Sequence, residues 1–174
     1  IYADIFVSAI IGFPGLNPTV QCLKHGSTLA LANKESLVVA GQLLRNESKR
    51  YGSKIIPIDS EHSGLFQLLN GNKLKEVEKM IITASGGEFR NLPAANFSKI
   101  TVKQASSHPT WKMGLRITID SNSMFNKAME LIETRELFGI SHEKIEVLIH
   151  PESIIHALIG FNDGGMIAHL SRMT

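Results

Sequence analysis

Over the first 58 residues, short apolar runs alternate with helix-like stretches, and no other feature of the chain restricts its fold so strongly. Residues 5–11 read as a buried strand, 28–32 as a second and 54–58 as a third. Between them lie the turn Gly12-Phe13-Pro14-Gly15, a short amphipathic helix over 19–24, and a helix over 35–51 with Leu37, Val38, Gly41 and Leu44 on helical spacing. Parallel neighbours need a crossover, and a strand–helix–strand order supplies one. These residues therefore predict a parallel sheet with covering helices, the C-terminal part of a Rossmann-like domain.

From Asp59 the pattern changes. A helix is expected over 62–69, a buried strand over 79–84, a Gly-rich turn, and a polar, Pro-containing loop region through 91–99. One long helix is predicted from Asn122 to Phe138, with Gly139 as its stop. Strands over 145–149, 154–161 and 166–170 close the chain. The expected class is α/β, with residues 1–58 a partial dinucleotide-binding domain and 59–174 an α+β catalytic domain.

Composition narrows the partners. The chain has 43% apolar and 20% charged residues, and no apolar run nears the roughly 20 residues of a membrane span. Its net charge of +2 comes from 18 basic and 16 acidic residues without a basic block, so neither a nucleic acid nor a membrane is an expected partner. Cys22 has no second cysteine to pair with and falls in a helix beside no obvious base, so it reads as a packing residue in a reducing compartment. The chain opens on Ile1 without a targeting segment and almost at once enters a strand, which suggests a piece of something longer.

Five segments could carry chemistry. Ile55-Ile56-Pro57-Ile58-Asp59-Ser60-Glu61-His62 is a strand that ends in two carboxylates and starts a helix; the acids could hold a hard divalent cation, or simply cap the helix. On the next long helix, Asn126, Lys127 and Glu130 are three or four apart, either converging on a ligand or forming a solvated pair. Thr83-Ala84-Ser85-Gly86-Gly87 offers a small, amide-rich turn. Ser106-Ser107-His108-Pro109-Thr110-Trp111-Lys112-Met113-Gly114 suggests either a mobile lid or a loop pinned by its Trp. Leu31-Ala32-Asn33-Lys34-Glu35-Ser36 again sits where a strand gives way to a helix.

Taken in order, these segments, with His150-Pro151-Glu152-Ser153-Ile154-Ile155-His156, resemble the deoxyxylulose phosphate reductoisomerase family over essentially the whole chain. The resemblance implies an enzyme using NADPH and Mg²⁺ or Mn²⁺ to rearrange and reduce a sugar phosphate in isoprenoid biosynthesis. It implies metal ligation by Asp59, Glu61 and Glu130, and catalytic roles for Lys34, Glu61 and His108. Ser85, Ser121, Asn126 and Lys127 correspond to phosphate-holding residues, Ser60 and His108 to substrate neighbours, and Trp111 and Met113 to a flap. Ala9, Ile10, Asn33 and Glu35 correspond to neighbours of the nicotinamide. A homodimer, in bacterial cytoplasm or a plastid-type organelle, is also implied.

The chain departs from the family pattern in three places. It contains no Gly-rich loop of the kind that opens the Rossmann domain, the turn at 12–15 is bulkier than usual, and Ala128 stands where Gly is common. His150 and His156 are separated by Pro151 and read as scaffold, and His25, His142 and His169 show no constellation. Two other classes fit the residues alone: a sugar-phosphate aldolase or isomerase without nicotinamide, and a non-catalytic dimerisation module.

Overall fold

The structure, a computed structural model, describes residues 3–106 and 114–171. Three strands, β1 (Ile5–Ser8), β2 (Thr28–Leu31) and β3 (Lys54–Pro57), form a parallel sheet in the order β1-β2-β3. Helices α1 (Leu16–Lys24) and α2 (Lys34–Tyr51) make the crossovers. The predicted strand alternation is present, but β1 ends at Ser8 rather than residue 11. Ser8 Oγ meets Thr19 Oγ1 of α1 at 2.8 Å in the interior, and its carbonyl accepts from the backbone N–H groups of Ala32 and Asn33, which fixes where the strand stops. Helix α1 begins earlier than expected because Pro18 falls in its first turn, where a backbone donor is not needed.

The second sheet is mixed. Its order is β5-β4-β6-β7, formed by β4 (Val77–Ala84), β5 (Ile145–Ile149), β6 (Ile155–Phe161) and β7 (Met166–Leu170). β4 pairs parallel with β5 and antiparallel with β6. Lying between two neighbours, β4 is buried along most of its length, which explains its continuous apolar sequence. Helix α3 (Ser60–Leu68) contributes Leu65 and Leu68 to the core on this sheet, beside Met80, Ile82, Ala157 and Ile159.

A second core lies under the parallel sheet, around Leu23, Leu29, Leu31, Leu37 and Leu44. Helix α6 (Phe125–Phe138) joins the two cores: Leu131 and Phe138 pack on the mixed-sheet core, while Leu137 reaches the other. These side chains are partly buried, so each contributes less than the roughly 1.5–3 kcal/mol of full burial. The orientation of α6 is therefore set from both sides.

The helix expected from Asn122 to Phe138 is one helix, shorter at its start, and an unexpected helix precedes it. Helix α5 (Leu115–Asn122), after the four-residue α4 (Val102–Ala105), ends before Met124, whose φ of 62° breaks the helix, and α6 starts at Phe125. The sequence pattern does not show α5, and no Gly or Pro marks the break between it and α6. Its physical cause is Asn122: the side chain accepts from Glu88 N–H at 2.8 Å and donates to Ala105 O at 3.1 Å, tying the end of α5 to two loops. Gly87 fits against this brace with φ of 66°, and a Cβ there would lie 2.7 Å from Asn122 Cα.

Gly139, the expected helix stop, also has positive φ, but open space surrounds it. Gly139→Ala is expected to cost about 1 kcal/mol from its dihedral alone. Gly87→Ala carries the same dihedral and a backbone clash, and is expected to cost roughly 2–4 kcal/mol. Urea melts of the two variants check this; equal destabilisation would show that the Asn122 contact does not constrain the turn.

Candidate active site

The carboxyl end of β3, the N-terminus of α2, the turn after β4 and the start of α6 converge on one cleft of about 390 Å³. Every described residue expected to touch substrate lines it: Ser60, Glu61, Ser85, Ser121, Asn126, Lys127 and Glu130, with Asp59 and Lys34. His108, Trp111 and Met113, and the expected lid with them, lie outside the described residues. Asp59 occupies the N-cap position of α3 but makes no side-chain cap hydrogen bond. Its carboxylate turns instead to Lys34, so capping does not account for the acidic pair.

Glu130 is the centre of the arrangement, 1% exposed. Lys34 Nζ donates to Glu130 Oε1 at 2.9 Å and to Asn126 Oδ1 at 3.0 Å, and pairs with Asp59. Lys127 Nζ donates to Glu61 Oε1 at 2.8 Å and pairs with the other Glu130 oxygen. The Asn126 amide also donates to Glu130, and Ser60 Oγ donates to Glu61 Oε2 at 2.6 Å. Positions 126, 127 and 130 meet because residues three and four apart share a helix face. The burial removes the solvated-pair reading of that spacing.

These contacts shift the charges in opposite directions. Burial disfavours the ionised form of Asp59, but Lys34, with His62 and Lys127, offsets it and holds the carboxyl at about 2. Glu130 is pushed upward, first by burial and then by the carboxylates of Asp59 and Glu61, against the pull of Lys127 and Lys34. Burial also works against the Lys34 and Lys127 ammoniums, yet the surrounding carboxylates raise both above the ordinary lysine range.

One oxygen from each of Asp59, Glu61 and Glu130 lies within 4.8 Å of the others. A divalent ion with metal–oxygen distances of about 2.0–2.6 Å accepts ligand oxygens at such separations. An all-carboxylate set suits a hard cation such as Mg²⁺ or Mn²⁺. The residues therefore fit the ion, with the ammonium groups of Lys34 and Lys127 beside them.

Beneath them lies a pair that the sequence reading passed over. His62 and Glu133 are both fully buried, and His62 Nδ1 is 3.5 Å from Glu133 Oε2. Burial pushes the Glu133 carboxyl up to about 7, with His62 opposing and Asp59 adding to the rise. His156, read as scaffold, also lines the cleft from β6 and stacks edge-on with His169 at 6.3 Å. A polar residue inside an apolar strand was the available signal. His150 pairs at 3.2 Å with Glu152.

A neighbouring cleft of about 220 Å³ is lined by Ala9, Ile10, Asn33 and Glu35, the expected nicotinamide neighbours. Ala32, Lys34, Ile117 and Asn126 line both clefts. The Asn33 side chain is engaged inside the protein: its oxygen accepts from Ser36 N–H at 3.0 Å as the α2 cap, and its amide donates to Ile10 O and, at 3.0 Å, to Gly12 O. Asn33 thus shapes the cleft wall rather than offering a free amide. Arg116, unanticipated, reaches across with Nη1 3.3 Å from Glu35.

The family model for 1-deoxy-D-xylulose 5-phosphate reductoisomerase matches residues 2–41, and that for the C-terminal domain of the same enzyme matches 55–138. Proteins named 1-deoxy-D-xylulose 5-phosphate reductoisomerase from Cereibacter sphaeroides and Ruegeria pomeroyi are 59% and 56% identical over 97% of the chain. The chain spans about two fifths of their length, 43% and 42%. Among solved structures, the Zymomonas mobilis enzyme in complex with NADPH is 42% identical, with a TM-score of 0.90 over 98% of this chain and 44% of its own. A DOX-P reductoisomerase in complex with NADPH, fosmidomycin and magnesium is 40% identical, with a TM-score of 0.89 over 96% of this chain and 43% of its own.

The buried acids make stability depend on pH in two directions. Glu133 is raised from 4.5 to about 7, so its contribution is complete below pH 4.5 and is lost as pH rises through 7. Asp59 is lowered from 3.8 to about 2, so its contribution is present above 3.8 and lost as pH falls through 2. Glu133→Gln is expected to flatten the loss of stability between pH 5 and 8, read from urea melts across that range. An unchanged slope would show that another group sets it.

Proposed function

Because the chain belongs to the 1-deoxy-D-xylulose 5-phosphate reductoisomerase family, we propose that a polypeptide carrying it converts 1-deoxy-D-xylulose 5-phosphate to 2-C-methyl-D-erythritol 4-phosphate with NADPH and a divalent cation. The observation that carries this reading is the convergence of Asp59, Glu61 and Glu130 with Lys34 and Lys127 at one buried corner of the cleft.

In this reading Asp59, Glu61 and Glu130 hold Mg²⁺ or Mn²⁺, which when bound supplies Lewis-acid stabilisation of negative charge on substrate oxygens. Lys34 and Lys127, which lie among these carboxylates, would present their ammoniums to the substrate. Lys127, with Ser85, Ser121 and Asn126, holds the phosphate; Lys34, on the wall common to both clefts, stands beside the reacting carbons and can stabilise or relay a proton there. Anchoring the phosphate away from the reacting carbons provides binding energy that positions them. Ser60 contacts substrate oxygens, and the family resemblance gives His108 the role of a substrate neighbour and Trp111 and Met113 that of a flap that excludes water.

Ala9, Ile10, Asn33 and Glu35, which line the neighbouring cleft, would hold the nicotinamide there. Residues 1–58 then form the end of the NADPH-binding domain and 59–174 the metal- and substrate-binding domain. The mixed sheet exposes Leu148, Met166 and Leu170, with Ile154 beside them, an apolar surface suited to a homodimer. A location in bacterial cytoplasm or a plastid-type organelle belongs to the same reading.

The test follows NADPH oxidation by a polypeptide that carries this chain together with the Gly-rich loop of the dinucleotide-binding domain, given 1-deoxy-D-xylulose 5-phosphate and Mg²⁺ or Mn²⁺. Turnover is expected, and Glu130→Gln is expected to lower kcat/KM by roughly a hundredfold or more. Turnover of the sugar phosphate without NADPH consumption would favour an aldolase or isomerase. Full activity in Glu130→Gln would remove that residue from the site.

A further inference from the structure

His62 Nε2 is 3.0 Å from the backbone carbonyl of Glu130 and 3.0 Å from Thr134 Oγ1. The carbonyl can only accept, and the Thr134 hydroxyl already donates to that same carbonyl at 2.8 Å. Both partners therefore demand that Nε2 carry the hydrogen. Nδ1 then faces Glu133 Oε2 at 3.5 Å, and neither Nδ1 nor either Glu133 oxygen has another hydrogen-bond partner. Two acceptors opposed in a fully buried space require one proton between them, whichever side holds it.

We propose that Glu133 is a positioning residue for the metal site: through this contact it fixes the His62 ring, whose Nε2–H clamps the α6 turn bearing Glu130 onto α3, which bears Glu61. The two helices carry two of the three carboxylates, so the clamp sets their separation. The carboxylate–imidazole pair thus reaches the ion without touching it, as groups behind metal ligands commonly do. This inference rests on the proposed metal site.

The test measures Mn²⁺ binding by the electron paramagnetic resonance of the free ion, on the polypeptide described above, for the parent, Glu130→Gln, Glu133→Gln and Glu133→Met. Glu133→Gln keeps a donor for Nδ1 and is expected to bind nearly as the parent does. Glu133→Met keeps the volume, removes the hydrogen bond, and is expected to weaken binding about 10- to 100-fold. Circular dichroism on each variant verifies folding; should Glu133→Met fail to fold, His62→Gln takes its place, with the same weakening expected.

No binding by the parent would defeat the metal site itself. Parent binding that is lost in Glu130→Gln but unchanged in Glu133→Met would defeat the positioning role alone. Equal weakening in Glu133→Gln and Glu133→Met would assign the effect to charge and overturn the clamp. Two ions per chain would mean that Asp59, His62 and Glu133, whose ligand atoms also lie within 4.8 Å of one another, form a second metal centre, and would equally overturn it.

Discussion

A buried carboxylate must be neutralised, and the site is organised around how that is done for Glu130. Lys34 arrives from α2 and Lys127 from α6 itself, each engaging a different oxygen, while Asp59 and Glu61 balance the lysines in turn. Removing one member would leave an unmatched charge in the interior, at a cost of about 3–5 kcal/mol. That penalty draws together a strand end, two helix N-termini and a helix face. It also keeps three carboxylates closer than their repulsion would allow.

The scaffold supports this arrangement by having α6 packed on both cores. Leu137 contributes to the parallel-sheet core and Leu131 and Phe138 to the mixed-sheet core, so the residues at positions 126, 127 and 130 have little freedom to turn away. Below them, His62 and Thr134 both meet the Glu130 carbonyl. The apolar layers and the polar contacts constrain the same helical turn.

Much of this was legible in the residue pattern. The strand–helix alternation of residues 1–58, the buried run of β4 and the stop at Gly139 all read directly, because periodicity and turn chemistry are local. The acidic pair and the helix face were visible as candidates, but their joint meaning came from the order of six segments. What sequence could not supply depended on contacts distant along the chain. The break at Met124 is enforced by Asn122 reaching Glu88 and Ala105; the partnership of His62 with Glu133 spans two helices; and the engagement of the Asn33 amide depends on carbonyls at Ile10 and Gly12.

Lys34 and Asn126 both line the two clefts, and a hydrogen bond joins them there. A ligand that draws the Lys34 ammonium away from Asn126 changes the donors and acceptors that its neighbour meets, and whatever factor this applies to the neighbour's affinity must return equally to its own. The partition between the clefts is a thermodynamic link, and a single lysine is part of it.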